Sequence, residues 1–325
     1  MLRISNISFP GLGIGEFAVD SVAFTVFGVD IAWYAVLITF GMICCFFYTV
    51  MQAKKIGITV DDIIDYALFT VPTGVIGARL YYVLSELDQY KTFWDVINIR
   101  QGGLAIYGGI IGGTIAVLCV SLVKKIDFFA FGDCVAPGVL LAQGIGRWGN
   151  FMNGEAFGYE TDWFCRMGLQ NLLTGGELKF VHPTFLYESL WNLSGVLLVY
   201  LFAKFIGKKY DGQLILLTFG WYGLGRMFIE GLRTDSLYIP GTDIRTSQAL
   251  AAVIFVTFLA MLIFFKIRKP KKALYHKPAP AEGEKKPDEL EVLFGKIKSY
   301  FASKKENKES VEENKSEGSD NENKD

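Results

Sequence analysis

An arginine, two asparagines and a glutamate are crowded into one short glycine-rich run. Residues 144–158 read Gly-Ile-Gly-Arg147-Trp-Gly-Asn150-Phe-Met-Asn153-Gly-Glu155-Ala-Phe-Gly158. Arg147, Asn150 and Gly154 are spaced i, i+3, i+7, so a helix through them presents all three on one face. The side chains supply a cation, neutral amides and an anion, and the glycines let a bulky ligand approach the backbone. That set suits a polar headgroup carrying phosphate and hydroxyls, because a guanidinium binds phosphate through a planar fork. The glycines alone also fit plain helix–helix packing through small residues, with polar side chains bonding between helices.

A second run, residues 223–235, holds Arg226, Glu230 and Arg233 at i, i+4, i+7. On a continuing helix Glu230 pairs with both arginines, either to hold guanidinium planes for a phosphate or as a structural ion-pair network. Of these, Arg226 is the expected substrate contact, with Glu230 and Arg233 supporting it. Arg79 and Arg226 both fall within the ends of apolar segments, where a charge marks either a functional site or a side chain reaching for lipid headgroups. Tyr107 opens the Gly-rich segment 102–113 with a titratable hydroxyl, and Trp33-Tyr34 opens another apolar segment. Both also fit the interfacial aromatic belt. His182 titrates near neutral pH and stands just before an apolar segment that contains Glu188. A carboxylate there needs a partner, and an arginine would serve.

The elements that must position these residues are membrane helices. The chain has 325 residues, 51% hydrophobic and 15% aromatic, with net charge -1 and mean hydropathy +0.32. The charge is concentrated in the last stretch, from 270 to 325. Composition excludes a soluble metalloenzyme, a disulfide scaffold and a nucleic-acid binder: the 5 cysteines lie mostly in apolar runs, there are 2 histidines, and no basic field exists. We read an all-α polytopic membrane protein with about seven spanning helices of the length a bilayer requires. These fall near Ile31–Met51, Ile63–Val83, Leu104–Val123, Phe131–Ile145, Phe185–Phe205, Gln213–Ile229 and Ser247–Ile267. The fourth is short and Gly-rich, as for a tilted, broken or partly embedded segment. No cleavable signal peptide and no internal repeat is expected.

Alternate loops carry Lys54, Lys55, Lys124, Lys125, Lys204, Lys208, Lys209, Lys266, Arg268, Lys269, Lys271 and Lys272, which makes them cytoplasmic. The N-terminus is then outside and the C-terminus inside. The other side carries mainly arginine: Arg79, Arg100, Arg147, Arg166, Arg226, Arg233 and Arg245, with Lys91 and Lys179. Topology requires charge rather than guanidinium, so this bias points to an outer-face polar site at the depth of a lipid phosphate. The expected organisation is a catalytic membrane domain over 1–269 and a cytoplasmic tail over 270–325. The tail reads as a linker, an amphipathic helix over 288–305 that suits a membrane surface or a partner, and a disordered end.

Taken together, these residues resemble the bacterial prolipoprotein diacylglyceryl transferase family. The resemblance rests on Gly-Arg-x-Gly-Asn-Phe-x-Asn-Gly-Glu-x-x-Gly at 146–158. His182-Pro183-x-x-Leu186-Tyr187-Glu188, Gly225-Arg226-x-x-x-Glu230-x-x-Arg233-x-Asp235 and Trp33-Tyr34 support it, in family order over roughly residues 20–268. The resemblance implies a seven-span enzyme of the bacterial plasma membrane, with lipid bilayer, phosphatidylglycerol and preprolipoprotein signal peptides as partners. It would transfer the sn-1,2-diacylglyceryl group to the lipobox cysteine thiol, forming a thioether and releasing glycerol 1-phosphate. Arg147 matches the family's phospholipid-binding arginine and Arg226 its second essential arginine; Tyr34, Asn150, Glu155, Gly158 and Glu230 match other required positions. Asn153, Arg79 and Arg233 join the substrate-binding set, and Tyr107, His182, Arg226 and Glu230 the catalytic one. The chain departs from the family where many members carry His-Gly-Gly, because here Tyr107-Gly108-Gly109 stands in that place, which leaves the thiol base open.

The chemistry agrees with the residues. A thiol has a pKa near 8.5; adjacent arginines lower it and stabilise charge on the departing phosphate. No cofactor or metal is needed. A lipid or organic-anion transporter would also use outward arginines, but should show repeats and a midplane site. A metal-dependent phosphatidyltransferase would need several aspartates on an inner helix face, and Asp61, Asp62 and Asp65 read instead as a helix start.

Overall fold

The computed structural model describes residues 4–90, 92–98, 102–236, 238–239, 241–268 and 274–278. Its helices are α1 (Trp33–Ala53), α2 (Val60–Ser85), the short α3 (Phe93–Ile97), α4 (Ile106–Lys124), α5 (Phe128–Asn153), α6 (Thr184–Leu201), α7 (Gln213–Ile229) and α8 (Thr246–Arg268). Six of the long helices are long and apolar enough to cross a membrane. The remaining one, α7, has 17 residues, about 25 Å at 1.5 Å per residue. The long helices coincide with the apolar segments read from the sequence. Of the cations assigned to the two sides, Lys91, Arg100, Lys269, Lys271 and Lys272 lie outside the described residues, as do the tail elements beyond 278.

The fourth segment differs from the expectation. It is neither short nor broken: α5 runs for 26 residues with Pro137 inside it. Half of its apolar window is buried within the protein, so its polar residues are met by neighbouring helices rather than lipid, and hydropathy alone cuts it off too early. Asp133 shows how. Its carboxylate accepts from the N–H groups of Gly212, Leu214 and Ile215 at 2.9–3.0 Å and pairs with Lys208 at 3.2 Å. A side chain of α5 thereby caps the orphan donors at the start of α7.

Helix starts follow capping chemistry. Thr59 and Asp62 form a capping box at α2, and Asp127 accepts from the Ala130 N–H at α5. The helices pack as α1 on α5, α2 on α4, α6 on both α5 and α7, and α8 on α7, whereas the α2–α4 pair meets α1 and α5 only sparsely. Gly108 and Gly112 permit the close α2–α4 approach: a Cβ at Gly112 would lie 2.6 Å from the Thr73 carbonyl oxygen.

The mostly helical class also carries strands, which the all-α reading lacked. A four-stranded antiparallel sheet has the order β2 (Ile14–Asp20), β1 (Ile4–Phe9), β5 (Met167–Gln170), β6 (Lys179–Val181), and β3 (Val22–Val26) pairs with β4 (Val29–Ala32). In β1, Ser5, Ile7 and Phe9 point inward with the period of two that a strand imposes. Ile7 and Leu169 are fully buried against Phe151 of α5 and Phe185 of α6. Asn171 fastens the sheet to the end of α5, donating to the Gly154 carbonyl at 2.8 Å and to Ser5 Oγ at 3.2 Å.

At the opposite, lysine-rich end, part of the expected linker is docked. The Lys277 N–H donates to the Ile56 carbonyl at 2.8 Å and Lys277 Nζ pairs with Asp62. The Tyr275 N–H donates to Asp211 at 2.8 Å.

Candidate active site

At the sheet end, α5, α7 and the segment that follows α7 bring three arginines onto one carboxylate of α6. Glu188, on the first turns of α6, is buried. Its Oε2 meets Arg147 Nε at 2.8 Å, and its Oε1 meets Arg226 Nη1 at 2.8 Å and Arg233 Nη1 at 3.3 Å. A buried carboxylate is tolerated when each oxygen is paired. Each arginine is held a second time. Arg226 Nη2 pairs with buried Glu230 at 2.6 Å. Arg233 makes a bidentate pair with Asp235 at 2.9 and 2.7 Å. Burial works against the Arg233 charge, but Asp235 and Glu188 outweigh it and push its pKa up. Arg245 extends the set by donating to the Glu230 carbonyl and, at 3.0 Å, to the Tyr159 hydroxyl.

Arg147 is the least committed of the three. Besides Glu188 it donates to Asn150 Oδ1 at 3.4 Å, and its Nη2 has no bond among the described residues. Asn150 and Asn153 both donate to Glu155 Oε1, at 3.1 and 3.0 Å. The local backbone makes this possible. Gly154 ends α5 at φ +61, and its missing Cβ leaves room for Ser5 and Asn171. The next N–H, of Glu155, turns back to the Asn150 carbonyl at 3.1 Å. Arg147, Asn150, Asn153 and Glu155 therefore form one hydrogen-bonded row.

Arg147 and Asn150 also sit at the rim of a cavity of about 510 Å³, within the range of ligand pockets. Tyr34 and Gly146 share that rim. The walls descend between the α1–α5 and α2–α4 pairs past Ile38, Met42, Val71 and Val139 to Thr49, Tyr66 and Phe131. Thr70 Oγ1 and Gln143 Oε1 in the wall have no partner among the described residues. Tyr34 packs over Gly149, where a Cβ would lie 2.6 Å from its ring. An apolar shaft capped by a guanidinium with open donors is built for an amphiphile with an anionic head.

Several other expected site residues lie apart from the Arg147–Glu155 row. Arg79 is the clearest. All five of its N–H donors are consumed by backbone carbonyls, of Val96, Gly102, Gly103, Asp95 and Asn98, at 2.7–3.1 Å. It fastens the α3 loop and has no donor left for a phosphate. Gly158 does not line the cavity below Arg147. Its strand-like segment lies between residues 181–182 and 232–233, and a Cβ would come within 2.7 Å of His182 Cβ and 2.8 Å of the Leu232 carbonyl. It serves by letting the Arg233 segment close on α6. His182 bonds elsewhere than to the arginines: its Nδ1 lies 3.1 Å from the Tyr187 hydroxyl, which lies 3.3 Å from Cys165 Sγ. Burial lowers the His182 pKa. Tyr107 opens α4 with its ring 6.3 Å from Tyr81 and outside the Arg147–Glu155 row. No metal-binding group of three or more His, Cys, Asp or Glu occurs among the described residues. Glu188 is the residue whose centrality the sequence understated; its signal was a carboxylate within an apolar helix.

The model of one protein family, prolipoprotein diacylglyceryl transferase, matches residues 21–264. A phosphatidylglycerol–prolipoprotein diacylglyceryl transferase 1 of Clostridium perfringens is 41% identical over 259 residues, covering 79% of this chain and 99% of the relative. Phosphatidylglycerol–prolipoprotein diacylglyceryl transferases of Clostridioides difficile (44% over 237 residues, 72% and 90% covered) and Enterococcus faecalis (39% over 268 residues, 80% and 95% covered) are similar too.

Proposed function

The chain belongs to the prolipoprotein diacylglyceryl transferase family, and from that premise we propose that it moves the diacylglyceryl group of phosphatidylglycerol onto the lipobox cysteine of a preprolipoprotein. The bond formed is thioether C–S, the bond broken is C–O to phosphate, and glycerol 1-phosphate departs with the electron pair. The observation that carries this reading is Arg147, with open N–H donors, at the rim of an apolar shaft. The shaft takes acyl chains and the guanidinium takes the phosphate.

The named groups Arg147, Arg226, Glu188 and Glu230 are charge-balanced, so phosphate capture depends on directed N–H donors rather than on net charge. Arg147 binds the phosphate. Arg226, one carboxylate away, stabilises the charge that develops on the leaving oxygen, while Glu230 and Arg233 hold its orientation. Tyr34, Asn150 and Asn153 shape the rim. Glu155 presents Oε2, unbonded among the described residues, beside that rim, and takes the thiol proton once the arginines have acidified it. Tyr107 positions substrate rather than acting as base. The sheet end and site face outward, the lysine-rich end faces the cytoplasm, and the protein resides in the bacterial plasma membrane.

The test is purified protein with phosphatidylglycerol and a lipobox peptide, read by mass for the diacylglyceryl adduct. Absence of the adduct overturns the reaction. Impermeant thiol labelling of cysteines placed at Thr161 and Gly207 tests sidedness: labelling at Gly207 alone in intact cells overturns it.

A further inference from the structure

Two tryptophans lock α6 to α7 beside the arginine cluster. Trp191 Nε1 donates to the Trp221 carbonyl at 2.8 Å, and Trp221 Nε1 donates to the Trp191 carbonyl at 2.8 Å. Their rings stack with centroids 4.5 Å apart and planes 13° from parallel. Each indole lies over a glycine of the opposite helix: Trp191 fills the space of a Cβ at Gly225, and Trp221 that of a Cβ at Gly195. The sequence carries the same pattern twice, Trp191-x-x-x-Gly195 and Trp221-x-x-x-Gly225. The antiparallel helices therefore meet in a reciprocal clasp.

We propose that this clasp sets the catalytic geometry, with Trp191 as a positioning residue that acts through Arg226. Gly225, under the Trp191 ring, directly precedes Arg226, and Glu188 lies three residues before Trp191 on the same helix. Sliding α7 along α6 by even one residue, about 1.5 Å, would open the 2.8 Å contact between Glu188 and Arg226. The salt bridge alone supplies little resistance to such sliding, because flexible side chains hold it at both ends. Flat rings seated in glycine notches and bonded to carbonyls at both ends do. In an apolar helix interface the indole N–H groups have no water to turn to, so both bonds persist together. A separate tie holds the other side of α6: Ser189, next to Glu188, donates to the Gly144 carbonyl at 2.8 Å and accepts from Trp148 Nε1 at 3.2 Å. Glu188 is thus registered against Arg226 by the tryptophans and against Arg147 by Ser189.

The proposal rests on the transfer reaction above, and its test separates the two. Trp191→Phe keeps an aromatic ring and removes the N–H donor. In full-length protein it should lower kcat/KM for phosphatidylglycerol roughly tenfold. In an Arg226→Lys background the same change should cost less than about twofold, because the group it positions is already lost. Trp221→Phe, whose ring covers Gly195 rather than the Gly225 that precedes Arg226, should follow the same pattern with a smaller loss and serves if Trp191→Phe folds poorly. Equal losses in both backgrounds would make the tryptophans mere packing and overturn the proposal. A second readout needs no turnover. Phenylglyoxal modification of Arg226, followed by peptide mass analysis, should rise several-fold in Trp191→Phe while surface Arg166 is unchanged. An unchanged Arg226 rate overturns the positioning role even if the wild type proves inactive, whereas a missing adduct in the wild type overturns only the reaction.

Discussion

Replacing Glu188 by glutamine tests the centre of the site with almost no change of shape. The carboxylate bonds Arg226 and Arg233 through Oε1 and Arg147 through Oε2. A glutamine keeps one oxygen, which stays with the two arginines because they converge there. Its NH2 then faces Arg147 Nε, donor against donor. Removing one partner of a buried ion pair costs about 3–5 kcal/mol, and here the unpaired charge falls on the arginine at the cavity rim. At about 1.36 kcal/mol per tenfold in rate, full expression in the transition state lowers kcat/KM by roughly 10²- to 5 × 10³-fold. Glu188→Asp keeps the charge but shortens the reach by one methylene, and should fall between wild type and glutamine. The assay is adduct formation on a lipobox peptide over a series of phosphatidylglycerol concentrations, with thermal unfolding measured in parallel. A Glu188→Gln enzyme within about threefold of wild type would refute the claim that this carboxylate orients the arginines.

Arg147→Lys should lose most activity despite its conserved charge, because an ammonium cannot donate to Glu188 and phosphate as a planar fork; near-normal transfer would exclude bidentate recognition there. Gly158→Ala should be nearly inactive, since the added methyl meets His182 and the Leu232 carbonyl; unaltered kcat and thermal stability would contradict the close approach. Arg79→Lys exchanges five carbonyl contacts for at most three, so Tm should fall by several degrees while KM for phosphatidylglycerol stays put, and a KM effect without a Tm effect would return Arg79 to the binding set. Burial holds the His182 pKa below 6.5, so its contribution to stability is whole above that pH and is lost as pH falls through 6.5 toward the folded value. His182→Gln should flatten that decline in a Tm–pH profile; identical profiles would show that His182 does not titrate with folding.

The membrane helices and the Arg147–Glu155 row were legible because both are local. Apolar runs of spanning length and residues at i, i+3 and i+7 declare themselves within one segment. What escaped is set between segments. The strands of the sheet are 3 to 7 residues long, too short for alternation to stand out, and β1 pairs with β5 across about half the chain. The end of α5 was missed because its polar residues are satisfied by α6, α7 and the sheet. Arg79 and Arg147 look alike as arginines near helix ends; only the folded chain shows that carbonyls of the α3 loop saturate one while the other keeps donors open. Glu188 stood out as a misplaced charge, but its three partners come from two other helices and a loop.

The docking of Tyr275 and Lys277 limits what the C-terminal extension can reach. The chain leaves this anchor beside Ile56 and Asp62, at the far end of the protein from the arginine cluster. Residues 279–287 precede the amphipathic stretch at 288, and even fully extended they span only about 30 Å. While the anchor holds, the stretch over 288–305 begins within that radius of the lysine-rich helix ends. A fusion placed after residue 278 therefore hangs from the α1–α2 turn rather than from the end of α8.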